Sequence, residues 1–323
     1  MKTTKSPLTV ARLALELAKQ CYPSYSCPKS PKRFTQPQLA ACLVVKEFLR
    51  LDYRRVHQML CEWSDLRQVL GLAKVPHFTT LCFAHRRLLR KSHTERLLRS
   101  LLERCRRDKL LPSTTSLAAI DSTGLESRHV SHYFTRRCDR HAAHYKATYP
   151  KLSAVCDTRT HLILGITVNR GPTVDHCEFR STVERALTHQ PFRMLVADAG
   201  YDSEKAHRWC RDELGIRSII PPRTKGRPRH DGSPRDLGGH YRRQLHRYFP
   251  KRLYGQRWQI ETAFSVLKRC LGSALRARTY QSQCREVALK VLTYNLMILL
   301  LDVRMSYTEH DCPELIWQGV GSK

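Results

Sequence analysis

The sequence predicts a mixed β-sheet with flanking helices, an α/β fold, preceded by an all-α N-terminal domain. Two observations support this prediction. Apolar residues recur at helical spacing through the first third of the chain, and the pattern then changes to short apolar runs typical of strands. The segment Leu110–Thr115 separates the two patterns and has the composition of a connector. We therefore predict a helical domain at 1–112, an α/β domain at 113–305 and a C-terminal tail at 306–323.

The N-terminal domain begins with an amphipathic segment at residues 8–19. A second helix is predicted to start at Thr35 and continue through Phe48. Thr35 and Gln38 have the spacing of a capping box, in which each side chain bonds the backbone N–H of the other residue. The start of this helix is therefore well marked.

Three short helical segments follow between residues 53 and 89, with a spacing compatible with a helix-turn-helix-like module. Ser92 and Glu95 then predict a capping box at the start of a further helix, whose leucines face inward and whose arginines face solvent. A solvated face and a DNA contact explain these arginines equally well. DNA binding by the N-terminal domain is an expectation.

The α/β domain is predicted to contain three strands, a helix, a strand, a helix and a strand, followed by two long helices. Asp175 is expected to cap the first of these helices, and Asp202 is also expected to be a cap rather than a metal ligand. Residues 221–253 are rich in proline, glycine and basic residues, which predicts a mobile basic insertion. The predicted strands are 116–120, 151–156, 161–168, 192–197 and 216–220, and the late helices are 254–271 and 284–304.

Charge identifies the expected partner. The chain has 57 Lys and Arg against 28 Asp and Glu, a formal net charge of +29. Such an excess favours a polyanion, because neutralising phosphates releases condensed counterions. An anionic membrane surface or a ribosome-like scaffold is the alternative, but these charges are spread through core-forming sequence, which favours nucleic acid.

Cysteine usage and hydropathy suggest where the protein works. The 13 cysteines are odd in number and never form a Cys-x-x-Cys pair, so reduced thiols are expected. The longest apolar stretch, Val287–Val303, contains Lys290, Asn295 and Asp302, which favours a buried helix over a membrane span. We expect no membrane association and a cytoplasmic, nucleoid-associated protein.

Three carboxylates are the candidate catalytic residues. Asp121 ends the first predicted strand, Asp198 ends the fourth, and Glu261 lies inside a late helix. The ends of neighbouring strands are where ligand sites gather. Hard oxygen donors without an accompanying His or Cys pattern suit Mg²⁺, for which Mn²⁺ can substitute. We predict that these residues bind metal ions that support phosphodiester chemistry.

The helix around Glu261 adds a second pattern. Tyr254, Arg257, Glu261 and Lys268 fall within a stripe roughly 60° wide at about 100° per residue. Trp258 lies on the face opposite the apolar one, where it could stack on a base or fill a domain interface. An ordinary surface ion pair between Arg257 and Glu261 is the plain alternative.

The stripe resembles the Y-R-E-K signature of bacterial insertion-sequence transposases, in the group numbered four and its relatives. Residues 118–124 (AAIDSTG) and 197–203 (ADAGYDS) resemble the first and second aspartate motifs of that family. The motifs cover about residues 116–305 in family order. The N-terminal half has only a loose likeness, chiefly at 75–81 (VPHFTTL).

The resemblance implies a ribonuclease-H-like catalytic fold and cut-and-paste transposition. Water would attack at the element's ends, and the freed 3′ hydroxyl would attack target DNA. Arg257 and Lys268 would contact DNA phosphates near the scissile position, and Tyr254 would help to position the strand. The implied partners are double-stranded DNA, as terminal repeats and as target, and a second copy of the chain.

Other interpretations remain open at this level. Another ribonuclease-H-like nuclease, such as a junction resolvase, would cut DNA without joining it, and a catalytically silent descendant would only bind DNA. His129, His132, Cys138, His141 and His144 could supply zinc ligands, but their spacing matches no standard zinc module and arginines surround them.

Overall fold

The computed structural model describes residues 3–127, 149–224 and 237–308. The N-terminal region is helical, as predicted. Its helices are α1 Pro7–Cys21, α2 Gln36–Phe48, α3 Tyr53–Glu62, α4 Ser64–Leu70, α5 Phe78–Leu88 and α6 Lys91–Arg107.

The two predicted capping boxes have different outcomes. At α2 the box is present: the Gln38 N–H donates to Thr35 Oγ1 at 3.3 Å and the Thr35 N–H donates to Gln38 Oε1 at 2.9 Å. The box at Ser92 and Glu95 is wrong, because α6 already begins at Lys91 with Arg90 as its N-cap and no side-chain cap bond. The helix starts two residues earlier than its polar pattern indicates, so Ser92 lies inside its first turn.

The second region contains the main sheet. Its strands are β1 Thr115–Gly124, β2 Glu126–Ser127, β3 Tyr149–Asp157, β4 Ile163–Gly171, β5 Phe192–Ala197, β6 Arg217–Ile219 and β7 Ala274–Leu275. Five of them form a sheet in the order β4-β3-β1-β5-β6, while β2 and β7 pair separately. The meander β1, β3 and β4 is antiparallel, and β5 and β6 continue the sheet parallel to β1. The predicted mixed sheet is confirmed.

The helices of this region cover the sheet. They are α7 Phe179–His189, α8 Glu204–Arg208, α9 His240–Arg247, α10 Lys251–Tyr254, α11 Trp258–Leu271 and α12 Tyr280–Thr308. The predicted helix from Tyr254 is instead α10, a short 3₁₀ turn at Gly255–Arg257, and α11. The predicted basic insertion also contains helix α9, so it is not all loop.

Two predicted helix caps are also wrong. Asp175 begins a 3₁₀ turn at Asp175–Glu178 and makes no side-chain cap bond, because its carboxylate is bound by Lys151 and Ser122. Asp202 precedes Ser203, the N-cap of α8, and its carboxylate is instead buried against Arg242. In both cases a partner distant in sequence takes the carboxylate.

Helix α12 connects the two regions. It packs against α1, α2 and α6 on one side and against β3 and β4 on the other. Its buried Asn295 joins the end of β4, donating to the Ile163 carbonyl at 2.8 Å and accepting from the Ile163 N–H at 3.0 Å. Lys290 donates to Glu47 of α2 at 2.7 Å. One continuous hydrophobic core therefore runs through the helical region and the sheet, and the division at residue 112 stays a prediction. No helix among the described residues is long and apolar enough to span a membrane.

Candidate active site

Asp121 and Asp198 occupy equivalent positions on neighbouring parallel strands. The parallel pairing of β1 with β5 ends at Ile120 and Ala197, and each aspartate is the next residue of its strand's path. Strands paired in this way lie about 4.8 Å apart, so the two aspartates begin side by side at one edge of the sheet. The sequence placed Asp121 at the end of its strand, but β1 continues to Gly124 through its pairing with β3.

Helix α11 brings basic and acidic side chains to the same edge. Asp121 and Thr123 alternate on one face of β1, and α11 packs against that strand. Arg257 lies 3.3 Å from Asp121 Oδ2, and Lys268 Nζ donates to Thr123 Oγ1 at 2.6 Å. Arg257 Nη2 also lies 2.5 Å from Glu261 Oε1. The plain alternative, an isolated surface pair between Arg257 and Glu261, is therefore incomplete, because Arg257 also bridges to the sheet.

The pKa of Asp121 is shifted by its burial and by the charges around it. Burial raises the pKa of Asp121 to about 6, and the negative charges of Asp198 and Glu261 push it in the same direction. The Ser122 N–H bond and the Arg257 guanidinium oppose this rise without cancelling it. The surroundings of Asp121 therefore disfavour its negative charge unless a further cation or a proton offsets it.

The fit of a divalent metal rests on donor chemistry. Three carboxylates with no His or thiolate among them are the ligands that Mg²⁺ and Mn²⁺ prefer. Among the residues that the structure describes, no three acidic, His or Cys side chains are arranged as a ready-made metal cluster. Arg257 lies against both Asp121 and Glu261, so its single positive charge offsets part of theirs.

A tight turn fixes the direction of Asp198. Asp198 caps a 3₁₀ turn at Ala199–Tyr201, and its side chain accepts a hydrogen bond from the Gly200 N–H. A Cβ added at Gly200 would lie 2.7 Å from Asp198 Oδ1, which is closer than van der Waals contact allows. Glycine is therefore required for the carboxylate to keep this position.

The opposite face of β1 is held by a network that the sequence did not predict. Ser122 Oγ donates to Asp175 at 2.5 Å, and Lys151 Nζ lies 2.7 Å from the same carboxylate. Burial raises the pKa of Asp175, but the bonds from Lys151 and Ser122 outweigh that effect and hold the pKa below its usual value. The network fixes β1 directly beside Asp121. Lys151 and Asp175 are 24 residues apart on different elements, so no local spacing signals the contact.

The remaining predicted residues flank this edge. The Tyr254 ring packs edge-on against Phe249, with 5.1 Å between ring centroids. Trp258 is 53% exposed, which agrees with its predicted place on the face away from the core. The five His and Cys residues considered as zinc ligands lie outside the described residues.

The mixed five-stranded sheet with flanking helices is the kind of fold that the resemblance to insertion-sequence transposases implied. Residues 112–296 match the family model described as the transposase DDE domain, and this match covers more than half of the chain. The chain belongs to the DDE transposase family, as its resemblance to insertion-sequence transposases implied.

Solved transposase structures resemble the chain only distantly. A piggyBac transposase synaptic complex with hairpin DNA has 9% identity and a TM-score of 0.48, with 94% of this chain and 77% of that chain covered. The Mos1 strand transfer complex has 11% identity and a TM-score of 0.29, with 90% of this chain and 83% of that chain covered. A comparison with curated proteins found no match.

Proposed function

We propose that the protein is a metal-dependent DNA transposase of the insertion-sequence group with the Y-R-E-K signature, and that Asp121, Asp198 and Glu261 are its catalytic, metal-binding carboxylates. The proposal is supported by the placement of Asp121 and Asp198 after adjacent parallel strands and by Arg257, which contacts both Asp121 and Glu261. The raised pKa of Asp121 reflects burial and the two neighbouring negative charges. A site with this excess of carboxylate suits Mg²⁺ or Mn²⁺.

When bound, divalent ions would activate water for hydrolysis and stabilise the leaving oxygen of the phosphodiester. Asp121, Asp198 and Glu261 would hold them. Asp121 is kept in register by the Ser122 network on the far side of β1, and Asp198 by its turn. Asp121 is partly buried, which strengthens the electrostatic interactions of its carboxylate.

Arg257, just before α11, and Lys268, within it, are proposed to bind the DNA strand. Lys268 and Arg257 lie beside Asp121 and Thr123, so their charges can reach a phosphate at the same edge. Trp258 exposes its ring beside Arg257 and would stack on a base, while Tyr254 would position the strand. The proposed partners are duplex DNA, as terminal repeats and target, and a second copy of the chain in a homodimer. The proposed location is the nucleoid.

The N-terminal domain, residues 1–112, is proposed to add a second DNA contact. A groove between α3 and α5 is lined by Arg54, Arg55 and Arg86. Phe83 is 66% exposed in the same groove. Arginines around an exposed aromatic ring match the chemistry of a phosphate backbone and its bases.

The decisive experiment uses duplexes that carry the DNA flanking the coding sequence, with Mg²⁺ or Mn²⁺. Asp121→Asn, Asp198→Asn and Glu261→Gln should each reduce cleavage by roughly 10³-fold, because each removes a charge that holds the metal ions. DNA binding should persist. Glu184→Gln, on the exposed side of α7, is the matched control and should cleave normally.

Three results would contradict the proposal. Cleavage by Asp121→Asn at the wild-type rate would show that the carboxylate assignment is wrong. Cut products that are never joined to target DNA would indicate a nuclease or resolvase. Tight binding by the wild-type protein without cutting in either metal would indicate a silent regulator.

A further inference from the structure

A buried ion pair holds the start of the basic segment beside the candidate active site. The Asp202 carboxylate, 1% exposed, accepts from Arg242 Nε at 3.0 Å and from Arg242 Nη2 at 2.7 Å. It also accepts from the backbone N–H of Arg223 at 2.7 Å. Arg242 Nη2 in turn donates to the Arg223 carbonyl at 2.9 Å. The pair therefore binds both backbone polar groups of Arg223.

The chain leading to Arg223 is also rigid. Ile220 is fully buried at the end of β6, and Pro221 and Pro222 follow it. Each proline fixes its own φ angle, and Pro222 also restricts the residue before it. With the prolines on one side and the ion pair holding its backbone, Arg223 has a fixed place although its side chain is exposed.

The Arg223 guanidinium points to the Asp198 side of the site. A Cβ placed on Gly200 would lie 3.5 Å from Arg223 Nη2 and 2.7 Å from Asp198 Oδ1, so both groups border the same small space. The charge of Arg223 also contributes to the lowered pKa of Asp175. Arg223 therefore lies next to the candidate active site, beside Asp198 and Asp175.

Arg223 differs from the other cations at this edge. Arg257 is bound by two carboxylates and Lys268 by Thr123. Within the described parts of the chain, the Arg223 side chain has neither an ion pair nor a hydrogen bond. An exposed guanidinium on a fixed backbone suits a phosphodiester, whose two free oxygens match its planar donors.

We propose that Arg223 binds a DNA backbone phosphate next to the scissile bond, on the Asp198 side, and that Asp202 and Arg242 are positioning residues that hold it there. This inference rests on the proposed transposase function. Arg223, near the start of the basic segment, contacts the phosphate directly. The buried Asp202 and Arg242 act on DNA only through Arg223.

The test measures binding and cleavage separately. In an Asp121→Asn background, Arg223→Ala should lower the salt dependence of binding to the terminal duplex by about one phosphate contact, a slope change of about 0.9. In the otherwise wild-type protein, Arg223→Ala should lower cleavage at saturating DNA by roughly 10- to 100-fold, which is about 1.4 to 2.7 kcal/mol. Arg223→Lys should restore part of both. Arg243→Ala is the matched control, since Arg243 is exposed on the same helix as Arg242 and bonds only the Gly239 carbonyl among its described contacts.

Duplexes with one neutral methylphosphonate identify the phosphate. When the methylphosphonate replaces the phosphate that Arg223 contacts, Arg223→Ala should cause no further loss of binding or cleavage. The negative charge that pairs with Arg223 is already absent from that duplex. Asp202→Asn should show the same non-additivity at that position, which a purely structural role would not produce. Additive losses at every position, or an unchanged salt slope, would overturn the inference. A wild-type protein that binds the duplex but never cuts it would overturn the proposed function, while the salt slope would still decide the role of Arg223.

Discussion

Two clusters of charged side chains differ in which sign of charge is in excess. The edge cluster is Asp121, Asp198 and Glu261 with Arg257. The interior cluster is Glu47 with Lys46 and Lys290, all of them buried where α2 meets α12. In the edge cluster acids outnumber the cation, and in the interior cluster each oxygen of Glu47 has its own lysine.

The pKa values follow this difference. Burial raises the pKa of Asp121 to about 6, and Arg257 does not compensate. Burial also raises the pKa of Glu47, but the two lysines outweigh it and hold the pKa below its usual value. In the interior the two lysines keep Glu47 in its charged form, whereas at the edge the single Arg257 leaves the acids in excess.

The largest expected effect on stability is at Glu47. Glu47→Gln keeps the shape of the side chain but leaves Lys46 and Lys290 buried without an anion, which should cost about 3–5 kcal/mol in the free energy of unfolding. Glu261→Gln, half-exposed at the edge, should change it by less than about 1 kcal/mol. Chemical denaturation of both variants makes the comparison. Equal losses would show that the two clusters do not differ in the way described.

A smaller effect is expected from acid at His85, which lies beside the interior cluster. Burial, with Lys46, Arg285 and Arg86 acting in the same direction and Glu47 opposing them, lowers the pKa of His85 to about 4. In the unfolded chain, His85 binds a proton near pH 6.5. Because the pKa of His85 is lower in the folded protein, the stability that its neutral form contributes is fully present above about pH 6.5. This contribution is lost as the pH falls towards 4, by up to about 3 kcal/mol in the free energy of unfolding.

Denaturation between pH 4 and 7 measures this loss in the wild type and in His85→Gln. The variant should have a shallower decline, since the titrating group is gone. His207, whose pKa burial also lowers to about 4, should keep part of the decline in both proteins. Parallel curves would rule out the contribution of His85.

The smallest effect on stability is expected at Trp258. Trp258→Ala should change the free energy of unfolding by no more than about 0.5 kcal/mol, because the side chain is 53% exposed. It should weaken binding to a duplex with a frayed or single-stranded end by about 1–3 kcal/mol, the value of one stacked base. Fluorescence titration of labelled DNA measures this. A loss of stability without a loss of binding would assign Trp258 to packing instead.

Much of the fold could be predicted from local sequence patterns. The α2 capping box, the strand alternation and the apolar face of α11 depend on neighbouring residues, so the sequence predicts them well. Two of the errors occur where a partner distant in sequence overrides a local preference. Asp175 has the composition of a helix cap, but Lys151 and Ser122 bind its carboxylate. Asp202 also has the composition of a helix cap, but Arg242 binds its carboxylate.

In the candidate site, too, the features set by local spacing could be predicted, and those set by distant contacts could not. The spacing of Arg257, Glu261 and Lys268 fixes a shared side of one helix, because helical geometry is local. The sequence by itself determined that stripe and the basic character of the chain, and it predicted the three carboxylates. Only the tertiary structure decided that Asp121 and Asp198 lie side by side, because strand register depends on pairing between residues 77 positions apart. It also decided that Arg223 lies beside Asp198, since a buried ion pair between residues 40 positions apart holds its backbone there.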